Sequence, residues 1–228
     1  MNLLAIETAT ESCSVALLCG DTLRDVSELA PRRHAERVLP MAEQLLAEAG
    51  LARRQLDVIA VGRGPGAFTG VRLAVSLAQG LALALDIPVV AVSSLAALAM
   101  EAPIDAPRIL ALLDARMGEL YAGAFARNAD GSVTALDGEH VGAAAEIALP
   151  LDSGWWIVGS GCKAYAELLA LRLTAPRGSD GDRYPQARHV ARLGAVQYAA
   201  GEAVAPELAL PVYLRDKVAL TLAERSVR

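Results

Sequence analysis

The stretch Leu56-Asp57-Val58-Ile59-Ala60-Val61-Gly62-Arg63-Gly64-Pro65-Gly66-Ala67-Phe68-Thr69-Gly70-Val71-Arg72 decides how the chain is read. Val58 to Val61 is a short apolar strand. The glycine-rich loop follows at once, and a helical pattern opens near Gly70 and runs to Leu85. Glycine at this density lets backbone come very close to something else. A helix N-terminus behind it offers unpaired N–H groups and partial positive charge. Such a junction holds a phosphate, or it lets two elements or two chains pack tightly. The spacing alone leaves both open.

Upstream, Leu3–Glu7 is an apolar strand and Thr8–Ser12 a polar turn. Cys13–Cys19 and Thr22–Leu29 flank the tight turn Gly20-Asp21, so the chain opens as an antiparallel meander. From about His34 to Gly50 the spacing predicts a helix, with Val38, Ala42, Leu45 and Ala49 on one face and Leu39 and Leu46 beside them. Gly50 is its stop, and Pro40 either starts or kinks it. A strand over Pro88–Val92 and a short helix to about Met100 complete the first half.

After the Pro- and Ala-rich stretch Glu101–Pro107 the order restarts. Strands are expected over 108–114, 119–127 and 132–136, with Asn128–Gly131 as a turn, and a short helix is expected around Glu146. Trp155–Val158 reads as a buried strand, and Gly159-Ser160-Gly161 opens a helix to about Leu171. A polar loop over 174–185, a helix over 187–201, an extended Pro211–Arg215 and a frayed tail close the chain. The expected division is 1–102 and 103–228, with the last segment packing back on the first lobe. Two halves of like order make a duplicated α/β architecture in two lobes. That is the plan of the actin-like ATPase and sugar-kinase (ASKHA) fold, whose first hairpin and Gly-rich turns hold nucleotide phosphates.

The 228 residues are 54% hydrophobic, and such a share hints at buried surface beyond one core, most simply a subunit contact. A formal net charge of −5 lacks the footprint of a stand-alone nucleic-acid binder. Cys13, Cys19 and Cys162 are odd in number and form no C-x-x-C pair, which predicts a reduced, cytoplasmic protein. Met1-Asn2-Leu3-Leu4 lacks a basic region before its apolar run, so no signal peptide is expected. The apolar window Leu73–Leu98 is interrupted by Gln79, Asp86, Pro88, Ser93 and Ser94, which argues against a membrane span.

Four segments carry a resemblance: Ile6-Glu7-Thr8-Ala9-Thr10, His34-Ala35-Glu36-Arg37-Val38-Leu39-Pro40, Gly64 through Arg72, and Pro211-Val212-Tyr213-Leu214-Arg215. In order and spacing they resemble the bacterial TsaB (YeaZ) family, the dimerisation subunit of the machinery that makes threonylcarbamoyladenosine in tRNA. The resemblance implies the actin-like fold and a non-catalytic scaffold role beside the catalytic paralogue TsaD. It also implies TsaE in the larger complex, a homodimer when alone, contact with tRNA only through the complex, and no membrane. It places a partner contact at Val38, Leu39, Ala42, Leu45, Gly64, Gly66, Phe68, Gly70, Val71, Arg72, Val75, Leu77 and Ala78, and it gives the loop a close-packing role. No cofactor is implied, ATP being used by the complex. An independent ATPase or small-molecule kinase is the alternative, and a metallopeptidase a distant one.

The residues bear on each. Thr8, Thr10 and Ser12, with Ser14, line the first hairpin and are candidates for residual phosphate binding. An active ATPase of this fold usually ends its first strand in aspartate, whereas this chain has Glu7. A metal pair His-x-x-x-His is expected in the catalytic paralogue; four residues after His34 stands Val38, and His140 and His189 are remote. Ser12, Ser14, Ser76, Ser93, Ser94 and Cys162 sit in no Gly-x-Ser-x-Gly context. On the helix 71–85, Val71, Val75, Ala78, Ala82 and Leu85 form one apolar side. Leu73, Leu77, Gly80 and Ala84 form the opposite side, and Arg72, Ser76 and Gln79 a polar strip. A helix apolar nearly all round is covered on more than one side; the sequence leaves open which side faces out.

Overall fold

The computed structural model describes residues 1–150 and 152–215. Strands β1 (Asn2–Glu7), β2 (Ser12–Cys19) and β3 (Thr22–Leu29) form the meander. Helix α1 (His34–Glu48) leads to β4 (Val58–Gly62), α2 (Phe68–Leu85) to β5 (Val89–Val92), and α3 (Ser94–Ala99) follows. The first sheet has the order β3-β2-β1-β4-β5, with β4 parallel to β1. The second sheet uses β6 (Arg108–Arg116), β7 (Glu119–Arg127), β8 (Val133–Ala135), β9 (His140–Ala143), β10 (Trp156–Val158) and β11 (Gly178–Asp180). Its order is β8-β7-β6-β10-β11, with β9 also on β7. The two sheets repeat one plan, an antiparallel meander extended on its first strand by parallel strands. That is the duplicated actin-like architecture.

The central strands are apolar on both faces because both are covered. In β1, Leu4 and Ile6 join the core under α1 and α2, while Leu3 and Ala5 join the core on the opposite face. That second face is covered by α6 (Ala187–Ala199), whose Val190 and Ala191 are fully buried. A Cβ at Gly194 would lie 2.7 Å from the Ala60 Cβ, so glycine lets α6 sit directly on β4. In the second sheet, Leu110 and Leu112 face the side of α4 (Ser160–Ala164) and α5 (Ala166–Arg172). Ile109, Ala111 and Leu113 face α3.

Several local expectations are corrected. The helix expected from Gly159 breaks into α4 and α5 at Tyr165, whose backbone leaves the helical region. Glu146 lies in a single turn closed by the Ile147 amide on Ala143, without a helix. The polar loop 174–185 contains β11, an edge strand Gly-Ser-Asp that carries no apolar signal, and β9 was not anticipated either. The tail beyond Arg215, expected to fray, lies outside the described residues.

The glycine-rich loop seats α2 on the chain's own first turn. A Cβ at Gly70 would lie 2.0 Å from the Thr8 carbonyl oxygen, and one at Gly66 2.4 Å from that of Ala9. The Ala67 amide donates to Ala9 O at 2.7 Å, and Thr8 Oγ1 donates to Gly70 O at 2.7 Å. The expectation that these glycines meet a partner backbone is thus corrected, since the backbone pressing on them is Thr8–Ala9.

Behind this contact lies Glu7, fully buried. Its Oε1 accepts from the Ala9 amide at 2.6 Å and its Oε2 from Ser94 Oγ at 2.7 Å. Burial raises the carboxyl above its usual range, against the lowering effect of Ser94 and of the Ala9 and Thr8 amides. Gly62 makes room for it, since a Cβ there would meet Oε2 at 2.0 Å.

Two outcomes are expected. Gly70→Ala forces backbone apart and should lower unfolding stability by about 1–3 kcal/mol or more, read by urea denaturation; an unchanged midpoint would contradict the close contact. Glu7 favours its neutral form in the fold. Its stabilising contribution is therefore complete below the ordinary value of 4.5 and is lost as pH rises through the raised folded value. Glu7→Gln should remove this loss, so its stability relative to the parent should improve between pH 4 and pH 8. Parallel stability curves for the two proteins would show that Glu7 does not titrate this way.

Candidate partner-binding face and interlobe cleft

A cleft of about 740 Å³ runs between the lobes, walled by the first turn, the start of α2, the β6–β7 turn and the segment 212–215. This is where the fold's hairpins would meet a phosphate. The hydroxyls are already engaged. Thr8 is committed to Gly70 O, and Ser12 Oγ accepts from Gln186 Nε2 at 3.2 Å. Ser14 Oγ accepts the Ala187 amide at 2.9 Å and so helps to seat the start of α6. Of the three phosphate candidates only Thr10 lines the cleft, and its Oγ1 accepts from the Ser12 amide. Arg116 crosses the cleft to Glu11 at 2.8 Å and turns back on Asp114 at 3.1 Å.

The C-terminal segment acts as a strap across the cleft mouth. The Val212 amide donates to Arg63 O at 2.9 Å on the first lobe. Arg215 donates to Ala115 O at 2.9 Å and pairs with Glu119 on the second. Between them Tyr213 meets the start of α2. Arg72 Nε donates to its hydroxyl at 2.5 Å, and the Tyr213 and Phe68 rings lie 5.8 Å apart.

Most of the remaining nucleophile and metal candidates have structural partners; Ser76 is exposed on α2, and the buried His34 Nε2 has no hydrogen-bond partner among the described residues. Ser93 caps α3 by accepting from the Ala96 amide and donates to Glu139. Burial pushes the Cys162 thiol up to about 11, away from a reactive thiolate. His140 pairs with Asp137 and His189 with Glu101. Among the described residues no three His, Cys, Asp or Glu side chains group to hold a metal.

The surface of α2 shows what the sequence left open. Ala74, Val75, Ala78 and Ala82 point into the first core and Val71 is buried over Gly64, so the outward side is the opposite one, with Gly80 and Ala84 exposed, Leu73 half-exposed and Leu77 at its edge, half-buried against the core. A Cβ at Gly80 would touch nothing within 4 Å. Leu83 is 72% exposed and Phe68 49%. By length and composition α2 is apolar enough to cross a membrane, yet its inner side is packed on the sheet. On the neighbouring α1, Leu39 is 40% exposed beside a hollow of about 130 Å³ that also touches Leu81 and Leu85.

Of the expected contact residues, Val38, Ala42, Leu45, Val71, Val75 and Ala78 are corrected to core positions. All but Val71 are buried in the core on this chain's own first sheet, and Val71 is buried over Gly64 at the cleft. Gly64 is buried as well, beneath Val71 and the strap. Leu39, Phe68 and Arg72 remain exposed, and Leu77 is half-buried at the edge of the core. Sequence reasoning missed Leu83, and it missed Tyr213 as the neighbour of Arg72. The first was visible in helical spacing with Gly80; the second joins residues 141 positions apart and left no local signal.

Comparison with known proteins accords with this geometry. The family model described as TsaD, tRNA N6-adenosine threonylcarbamoyltransferase, matches residues 26–221. The Escherichia coli protein named tRNA threonylcarbamoyladenosine biosynthesis protein TsaB is 40% identical, with 96% of each chain covered. A protein of the same name from Haemophilus influenzae is 37% identical over 96% of this chain and 95% of its own. The solved structure of YeaZ from Pseudomonas aeruginosa superposes with a TM-score of 0.87 at 44% identity, covering 93% of this chain and 99% of that one. With this identity along nearly its whole length and this backbone, the chain belongs to the TsaB (YeaZ) family.

Proposed function

We propose that the chain is a non-catalytic scaffold subunit in the synthesis of threonylcarbamoyladenosine in tRNA. It pairs with a TsaD-type catalytic paralogue, and TsaE joins the larger complex. The observation that carries this reading is the outward face of α2, where Gly80, Leu83 and Ala84 are exposed and Leu73 and Leu77 half-exposed, beside the exposed Leu39 of α1. Apolar surface left in water is unfavourable by about 25 cal/mol per Å². A second copy covers the face when the partner is missing, since a two-fold dimer is the commonest remedy. The same family supplies the paralogue, because the matching model is described as TsaD.

Residues of the cleft support the same reading. Catalysis on a bound nucleotide would draw on hydroxyls at the first turn, and those of Thr8 and Ser12 are engaged within the chain. The chain acts by contact, ATP is used by the complex, tRNA is reached through the complex, and the setting is the cytoplasm.

The test uses two charges on one helix. Leu77→Glu places a carboxylate on the outward side and Val75→Glu buries one against the sheet. Leu77→Glu should melt within a few degrees of the parent, fail to co-purify with TsaD and abolish tRNA modification in a reconstituted mixture. Val75→Glu should unfold, since an unpaired buried charge is poorly tolerated. A folded Leu77→Glu chain that still binds TsaD and supports modification would refute the assignment of this face. Threonylcarbamoyl transfer by the purified chain alone would refute the scaffold role.

A further inference from the structure

Helix α2 carries a single charge, on the polar strip beside its outward side and at the mouth of the cleft. From Phe68 to Leu85 every residue but Arg72 is uncharged. The guanidinium carbon of Arg72 lies 3.5 Å from the centroid of the Phe68 ring and 5.2 Å from that of Tyr213. Its Nε is tied to the Tyr213 hydroxyl. Stacking and tether use one face and one nitrogen of the fork and leave both terminal nitrogens for a further partner. The nearby arginines are engaged differently. Arg37 pairs with Glu28, Arg116 with Glu11 and Asp114, and Arg215 with Glu119. Among the described residues no carboxylate pairs with Arg72.

We infer that Arg72, braced by Phe68 and Tyr213, is the polar anchor of the α2 interface, and that it receives a carboxylate from the partner docked there. This rests on the proposed use of α2 as the partner face and adds the chemistry of the partner, an apolar surface with an aspartate or glutamate at the strap end of α2. Bracing matters because a long side chain otherwise loses rotamer freedom when it is fixed; here the aromatic pair has fixed it in advance. Planar bidentate pairing with a carboxylate is what a pre-oriented guanidinium does best. The inference also discriminates between partners. A second copy presenting its own α2 offers no carboxylate between residues 68 and 85, and those of the adjoining α1 already have partners, Glu36 with Arg33, Glu43 with Arg53 and Glu48 with Gln44, so the homodimer mates this cation less well than a non-identical partner with a free carboxylate there.

The experiment measures binding of the full chain to purified TsaD by titration calorimetry at two salt concentrations, with homodimer dissociation followed by analytical ultracentrifugation. Arg72→Ala should melt like the parent, weaken TsaD binding roughly tenfold or more, and flatten its salt dependence. The homodimer should stay unchanged or become tighter. Arg72→Lys keeps the charge without the planar fork and should recover only part of the affinity. Tyr213→Phe releases the tether alone and should weaken the heterodimer less than Arg72→Ala. It carries the test if Arg72→Ala lowers the melting temperature. Arg72→Glu should be rescued by reversing one exposed TsaD carboxylate to lysine. If Arg72→Ala and Tyr213→Phe bind TsaD as the parent does while Leu77→Glu does not, the face stands and the anchor is overturned. Equal weakening of homodimer and heterodimer would overturn the discrimination. Normal binding by Leu77→Glu would instead overturn the reading beneath both.

Discussion

The contact between the start of α2 and the turn after β1 is the constraint on which the rest depends. Two missing side chains, at Gly66 and Gly70, let a helix end press on the carbonyls of Thr8 and Ala9. That approach fixes α2 across the first sheet and buries Val71, Val75 and Ala78. It therefore decides which side of the helix is left over. The same approach uses the Thr8 hydroxyl and the Ala67 amide, groups that a phosphate would otherwise claim. One packing decision thus closes the first turn and presents an apolar face.

The strap extends this logic to the second lobe. Val212, Tyr213 and Arg215 touch the end of β4, the start of α2 and the β6–β7 turn in succession. The charges in the cleft are likewise spent between the lobes, as Arg116 shows with Glu11. Glu101 adds a buried joint at the start of the Glu101–Pro107 connection, where it meets His189, Arg188 and Arg183. Burial raises its carboxyl, but the hydrogen bond from His189 and the charge of Arg188 outweigh this and hold it below the usual range, while burial lowers His189, so the charge is met chiefly by the arginines.

Much of the fold was legible because its signals are local. The apolar runs of β1, β4 and β6, the turns at Gly20 and Gly131 and the helix stop at Gly50 all follow from period and backbone freedom. The repeated order of elements came from the same reading. What stayed hidden depends on contacts distant in sequence. Nothing in Gly178-Ser179-Asp180 marks a strand, because its pairing with β10 supplies the reason for its shape. At the candidate site, the wheel of α2 showed two apolar sides and could not rank them; the glycines facing Thr8 and Ala9 do. Phe68 and Arg72 were each named in the sequence, but the helix was expected to open near Gly70; their pairing one turn apart came with the start of α2 at Phe68, and Tyr213 entered only through the tertiary fold.

Helix α6 closes the first sheet from the far end of the chain. Leu3, Ala5, Val58, Ala60 and Val90 belong to strands made early, yet their cover is residues 187–199. During synthesis on the ribosome, the first lobe emerges with one face of its sheet bare, and it stays bare while the 94 residues between the end of β5 at Val92 and the start of α6 at Ala187 are translated. Native-like closure of the early lobe must wait for the late helix. Closure of the first lobe is therefore bound to synthesis of residues 187–199, and a product truncated before them would carry an exposed β-surface of the kind that chaperones hold and proteases clear.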